Sequence, residues 1–154
     1  MYGGNGYIED FVTPRLLRDA QVLTVWEGTA NILGMELVRL VNKYGAHTLF
    51  TEEMKKRLDV VPNSRWKEHM VRALHKVTIN LEVFATLDPE LQTIEAKKLM
   101  RDMALLYDGV VALEWAVKHG GRYEMIMEIF IETNWVERTV GEVKSSVKYF
   151  DQII

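Results

Sequence analysis

The chain has 154 residues, of which 48% are apolar and 27% charged, and its formal net charge at pH 7 is −3. This balance is typical of a globular protein and differs from the basic surface that most nucleic-acid-binding proteins carry. The chain has no cysteine, which excludes disulfides and thiolate chemistry and suits a cytoplasmic location. Neither a run of eighteen apolar residues nor an export signal is present, so we expect no membrane contact.

In chain order, the sequence predicts an irregular arm followed by helices. Residues 1–26 form the arm, with one or two helical turns around residues 14–20. A helix is predicted over residues 27–44, and a short one over residues 52–58. Three long helices follow, over residues 63–87, 89–119 and 126–150, and no segment alternates like a strand.

Two short connections divide the second half of the chain. Asp88 is a good helix cap, and Pro89 suits the first helical position. Gly120 and Gly121 follow His119 and favour a helix end, because glycine adopts positive φ at little cost. Helices joined by such short turns fold back on one another.

Apolar residues on the four long helices recur at spacings of three and four, the pattern of a packed helical seam. In the helix predicted over residues 27–44 the stripe is Leu33, Leu37, Leu40 and Tyr44. In the helix over residues 89–119 it is Leu99, Met103, Leu106, Val110, Leu113 and Val117. The last stripe is Ile126, Ile129, Thr133, Val136, Val140, Val143, Val147 and Phe150. We therefore predict an all-α fold, in which residues 27–154 form an up-and-down four-helix bundle behind the irregular N-terminal arm.

Local chemistry alone identifies no active site. The four histidines share no ligand spacing and no carboxylate cluster accompanies them, so no metal site is expected. The glycine-rich start, Gly3 to Gly6, is read as a flexible turn because no strand precedes it. Glu27 suits the positive end of a helix whether or not it has a catalytic role.

The combined string "GGNGYIEDFVTPRLLRDAQVLTVWEGTANI", Gly3 to Ile32, resembles the signature stretch of the acyl-CoA dehydrogenase family. In that family a Gly-Gly-x-Gly-Tyr segment is followed by an Arg-Leu-x-Arg-Asp-Ala helix. An aromatic-Glu-Gly-Thr-x-x-Ile motif then follows. All three parts occur here in order, over about a fifth of the chain. Trp26 before the glutamate is similar to the alkylation-response branch.

The resemblance implies FAD-dependent oxidation of the Cα–Cβ bond of an acyl-CoA thioester. Glu27 matches the base that removes the α-proton, and Gly28 matches the position that approaches the substrate. Thr29 and Asn31 match flavin contacts. Gly3 and Gly4 match backbone that passes the adenosine diphosphate part of FAD, often across a subunit interface.

The family also has an N-terminal helical domain and a middle β domain ahead of this segment. We therefore expect this chain to be the C-terminal portion of a long-type dehydrogenase, inactive alone. A homo-oligomer or a partner chain would supply the missing domains. The alternative is a non-catalytic helical interaction module that keeps the motif by ancestry. Nucleic-acid binding by the tail, suggested for alkylation-response relatives, ranks last because the chain is acidic.

Overall fold

The computed structural model describes residues 3–26, 28–137, 141 and 143–153. A 3-10 turn at Gly3–Gly6 is followed by α1 (Thr13–Val22), α2 (Ala30–Tyr44), α3 (Ala46–Val60) and α4 (Arg65–Thr86). Then come α5 (Pro89–His119), α6 (Arg122–Trp135), α7 (Ser145–Lys148) and α8 (Phe150–Ile153). The described residues contain no strand, which confirms the all-α prediction.

The longest helix, α5, is the centre of the fold and packs against α2, α3, α4 and α6. The side chains with almost no exposed surface lie at the junctions of these helices: Met54, Leu58, Met70, Val77, Leu81, Phe84, Leu106, Val110, Leu113 and Ile131. Their burial is the main driving force for the association of the helices. The predicted count of four long helices is not confirmed, because α3 is a fifth helix of 15 residues.

Helix boundaries follow the predicted caps where the cap chemistry is local. The Asp88 carboxylate accepts hydrogen bonds from the backbone N–H groups of Glu90 and Leu91, at 3.1 Å each. Gly45 ends α2 with φ of 59°, and Gly120 ends α5 with φ of 62°. These positive angles explain why glycine stands at both helix ends.

The last predicted helix, over residues 126–150, is wrong in its length. α6 ends at Trp135, Val136 is extended, and Lys144 is extended before α7 begins. α7 and α8 fold back against α6 instead of continuing its direction. Val140 lies outside the described residues.

Parts of the predicted apolar stripes are also wrong. α6 buries Met127 and Ile131. Ile126 is 42% exposed, and Val117 at the end of α5 is 57% exposed. Several sides of these helices carry apolar residues, so spacing alone did not identify which side faces the core.

On α2 the buried face consists of Gly34, Leu37 and Val41, whereas Leu33 and Tyr44 of the predicted stripe are about half exposed. Gly34 has no side chain, which allows the backbone of α2 to approach α5 on this side. The buried face is therefore rotated from the predicted one by about one residue.

Candidate functional site

The family-like motif enters α2 through a backbone bend that needs glycine. Gly28 has φ of 111°, a conformation that other residues rarely adopt. A Cβ at this position would also lie 3.2 Å from Cγ2 of Ile32. Thr29 follows in extended conformation as the N-cap of α2, and its carbonyl accepts the N–H of Leu33 at 3.0 Å.

Glu27, the predicted base, lies outside the described residues. The residue before it, Trp26, donates its N–H to the Val22 carbonyl at 2.9 Å, and its side chain is 67% exposed. Gly28 on the other side is half-buried.

Thr29 and Asn31, the predicted flavin contacts, are exposed at the start of α2. Neither side chain hydrogen-bonds to another residue in the part of the chain that the structure describes, and Thr29 does not cap the helix with its hydroxyl. The first N–H groups of any α-helix have no partner inside the helix and carry partial positive charge. This end of α2 thus offers free donors to an anionic or carbonyl group.

Gly3 and Gly4, the other predicted cofactor residues, lie in the exposed 3-10 turn. The Gly4 carbonyl accepts the N–H groups of Tyr7 and Ile8 at 3.0 and 3.2 Å, which closes the turn. The turn packs on α1 and makes no extended contact with α2 among the described residues. The structure therefore does not bring the two groups of predicted cofactor residues together.

Ion pairs hold the arm locally. Arg18 donates from both terminal nitrogens to the Glu9 carboxylate at 2.6 and 3.1 Å, and this hydrogen bonding lowers the pKa of Glu9. Arg15 lies 3.7 Å from the Asp19 carboxylate on the next turn of α1. Both pairs are exposed and contribute little to stability. Both pairs join residues within the arm to one another.

The arm presents a large apolar surface. Pro14 is its one buried residue among those described. Large apolar side chains are exposed along the whole arm: Tyr7, Ile8, Phe11, Val12, Leu16, Leu17, Val22, Leu23, Val25 and Trp26. Ile32, Leu33 and Met35 extend this surface onto α2. Exposed apolar side chains in this number favour an interaction site over a free protein surface.

Three residues that the sequence analysis did not single out fix α2 to the rest of the protein. Gly34 lies against α5, and Asn42 exchanges hydrogen bonds with the buried Gln92. A glycine inside a helical pattern was a usable signal, because such a glycine often has a packing reason. Nothing in the local sequence around Gln92 indicates that its side chain is buried.

One concave region lies away from the start of α2. A groove of about 330 Å³ between α4 and α5 has an apolar floor that includes Phe84, Leu87 and Leu99. No group of three or more His, Asp or Glu residues in the described ranges could hold a metal ion. None of the helices in these ranges is long and apolar enough to cross a bilayer.

Comparison with known proteins identifies the first part of the chain. Residues 1–41 match the family model described as acyl-CoA dehydrogenase, C-terminal domain. Acyl-CoA dehydrogenase family member 11 of Caenorhabditis elegans is 54% identical over 39 residues, which are 25% of this chain and 6% of that protein.

A second relative extends further into the chain. AidB of Escherichia coli strain K12, provisionally named as an acyl-CoA dehydrogenase, is 35% identical over 75 residues, 48% of this chain and 13% of AidB. This chain therefore spans only a small part of either relative. No solved structure gives a significant match. Through its first 41 residues, which contain the motif, the chain is similar to the C-terminal domain of the acyl-CoA dehydrogenases.

Proposed function

We propose that this chain is the C-terminal part of an FAD-dependent acyl-CoA dehydrogenase and that Glu27 is the base that removes the substrate α-proton. The observation that carries the proposal is the motif around Glu27. It coincides with a glycine-dependent bend and with an exposed helix start that has free hydrogen-bond donors. The arm, whose large apolar side chains are exposed, is the surface that preceding domains would cover.

The residues near the start of α2 fit a flavin and thioester site as one wall of it. Gly28 lacks a side chain, so a bound thioester can approach the backbone, and the N–H of residue 27 would donate to the thioester carbonyl. Such a donor stabilises the negative charge that develops as the α-proton leaves. Thr29 and Asn31 have unused polar groups that would hold the cofactor, and FAD, when bound, accepts the hydride that leaves the β-carbon.

A carboxylate is suited to the base role only when water is excluded. A dry site raises the pKa of a carboxylic acid and strengthens proton abstraction. The surroundings of α2's first turn are open, with Thr29 and Asn31 both exposed. The proposal therefore places the activity in the complete protein, in which acyl-CoA is the substrate and the preceding domains close the site.

The test is to co-express the chain with the preceding domains of a full-length relative and to measure flavin retention and flavin bleaching by acyl-CoA. We expect Glu27→Gln to slow bleaching by at least about 100-fold, the usual contribution of a positioned base. Glu36→Gln is the matched control, because Glu36 is an exposed carboxylate on α2 that pairs with Arg39. If both variants bleach at the parent rate, Glu27 is not the base.

The second candidate is a non-catalytic interaction module, which the exposed apolar side chains of the arm also favour. This hypothesis predicts that the isolated chain self-associates and that the co-expressed complex retains no flavin. Sedimentation velocity together with the flavin content of the complex distinguishes the two. Stoichiometric flavin that acyl-CoA bleaches would exclude the module hypothesis.

A further inference from the structure

The helix that follows the motif is held by residues outside the family match. The buried face of α2 consists of Gly34, Leu37 and Val41. This face packs on α5 and, over a smaller area, on α3. Both helices lie beyond residue 41, where the match to the family model ends. The position of α2 is therefore determined by residues 42–154, which we call the extension.

The first fixed point is a close approach of two backbones. A Cβ added at Gly34 would lie 3.3 Å from the backbone nitrogen of Lys97 and 3.4 Å from the Cβ of Ala96. These are tight contacts, and backbone atoms of a helix cannot move aside independently. A side chain larger than methyl at residue 34 would push α2 away from α5, just over one turn after Ala30.

The second fixed point is an amide pair between the exposed Asn42 and the buried Gln92. Asn42 Nδ2 donates to Gln92 Oε1 at 2.7 Å, and Gln92 Nε2 donates to Asn42 Oδ1 at 3.1 Å. Gln92 Nε2 also donates to the Phe84 carbonyl at 2.9 Å, and Gln92 is only 2% exposed. One side chain thus connects α2, α5 and the last turn of α4. Replacing Gln92 by an apolar residue would remove all three of these hydrogen bonds.

Two points of contact fix both the rotation of α2 about its axis and its position along that axis. Gly34 and Asn42 lie eight residues apart, about 12 Å along the helix axis. α2 begins at Ala30, three residues after Glu27 in the sequence. We propose that Gly34 and Gln92 are positioning residues, through which residues 42–154 set the place of the start of α2, the segment that directly follows the proposed base in the sequence. This inference rests on the proposed function for its catalytic consequence but not for its structural part.

Hydrogen exchange on the 154-residue chain tests the structural part. Gly34→Leu and Gln92→Leu should speed amide exchange over residues 33–41 about tenfold more than over residues 106–113. Val110→Ala is the matched control, because it removes buried volume from α5 about 20 Å from Ala96. Val110→Ala should speed exchange equally in both segments. If Gly34→Leu and Gln92→Leu do the same, these residues do not hold α2 specifically and the inference is wrong.

The complex with the preceding domains tests the catalytic part. A displacement of about 1 Å at a reacting group can cost about 100-fold in rate. We therefore expect Gln92→Leu to lower kcat at least about tenfold while KM changes less than about twofold. The exchanged pair Asn42→Gln with Gln92→Asn keeps two facing amides and should recover most of kcat.

The outcomes separate the inference from the proposed function. If Glu27→Gln abolishes bleaching while Gly34→Leu, Gln92→Leu and the exchanged pair all keep the parent kcat, the positioning role is wrong and the function stands. If Glu27→Gln has no effect, the proposed function fails, and hydrogen exchange still decides whether the extension fixes α2. A Gln92→Leu complex that loses kcat and regains it with the exchanged pair supports the inference.

Discussion

Asp88 caps the 31-residue helix α5, and a single oxygen of its carboxylate accepts the backbone N–H groups of both Glu90 and Leu91. We expect Asp88→Ala to cost about 1 kcal/mol, the usual loss for such a cap. In a chain of this length the loss should lower Tm by about 3 °C. Circular dichroism during heating measures the change.

The control for Asp88 is the same substitution at the opposite end of a helix. Asp59 is exposed in the last turn of α3, where the helix carries partial negative charge. Asp59→Ala should leave Tm unchanged or raise it slightly. Equal losses for the two variants would show that the Asp88 cap contributes nothing specific.

His69 should make the protein less stable at low pH. Burial, and secondarily the charges of Arg72 and Arg65, lower the pKa of His69 below its ordinary value of 6.5. The unfolded chain therefore binds this proton more readily than the folded one. Stability is lost as pH falls through about 6.5 toward the lower folded pKa.

We expect His69→Gln to reduce the fall in Tm between pH 8 and pH 5.5 relative to the parent. His75→Gln is the control, because His75 lies on the same helix and is exposed. Thermal denaturation of the three proteins at both pH values measures the difference. If Tm falls by the same amount between the two pH values in the parent and in His69→Gln, the assignment to His69 is wrong.

Residue-level chemistry could be predicted from the sequence where it acts through the backbone nearby. The cap at Asp88 and the glycine ends at Gly45 and Gly120 are examples, because each depends on residues a few positions away. The roles of Gly34 and Gln92 depend on residues fifty or more positions distant, and local sequence patterns do not reveal such pairings. The motif at Gly3–Ile32 revealed the resemblance to the acyl-CoA dehydrogenases, although its spacing gives no geometry for the proposed site.

At the scale of elements, the end of α6 shows why periodicity overestimated one helix. The stripe from Ile126 to Phe150 continues at helical spacing, so the pattern predicts one helix. In the structure the backbone N–H of Ser145 donates to Glu132 at 2.7 Å, and the Tyr149 hydroxyl donates to Glu128 at 2.9 Å. These polar contacts hold α7 and α8 against α6, and apolar spacing carries no information about them.

Tyr149 should therefore control the stability of the C-terminal segment, residues 143–153. Tyr149→Phe removes its hydrogen bond to Glu128 and its contact with Lys148. A loss of about 1 kcal/mol should raise the open fraction, and with it the rate of tryptic cleavage in this segment, about fivefold. Mass spectrometry of the fragments over time measures that rate.

Tyr123→Phe is the control for this experiment, because the Tyr123 ring is 41% exposed and contacts the rings of Trp115 and His119. It should leave cleavage of the C-terminal segment at the parent rate. Equal cleavage of the parent and Tyr149→Phe would mean that the Glu128 contact does not hold the segment.

At the scale of the whole molecule, the family motif and the extension are parts of one structure. α2 contains the last matched residues, and its buried face packs on α5 of the extension. The arm differs, since its side chains other than Pro14 are at least partly exposed and α1 packs on the N-terminal turn. The division of the chain after residue 26 remains a prediction, and it has a direct consequence for stability.

A chain of residues 27–154 should keep the helical core and lose the apolar surface of the arm. Pro14 is the one buried residue described in the arm. Removal of the arm should therefore change Tm by no more than about 2 °C. Binding of a dye specific for exposed apolar surface should fall, and so should self-association in sedimentation velocity. Leu16→Glu with Leu17→Glu in the full chain is the control, because it alters the same surface without deleting backbone. A fall in Tm of more than about 8 °C on truncation, with none in this control, would show that the arm is part of the core.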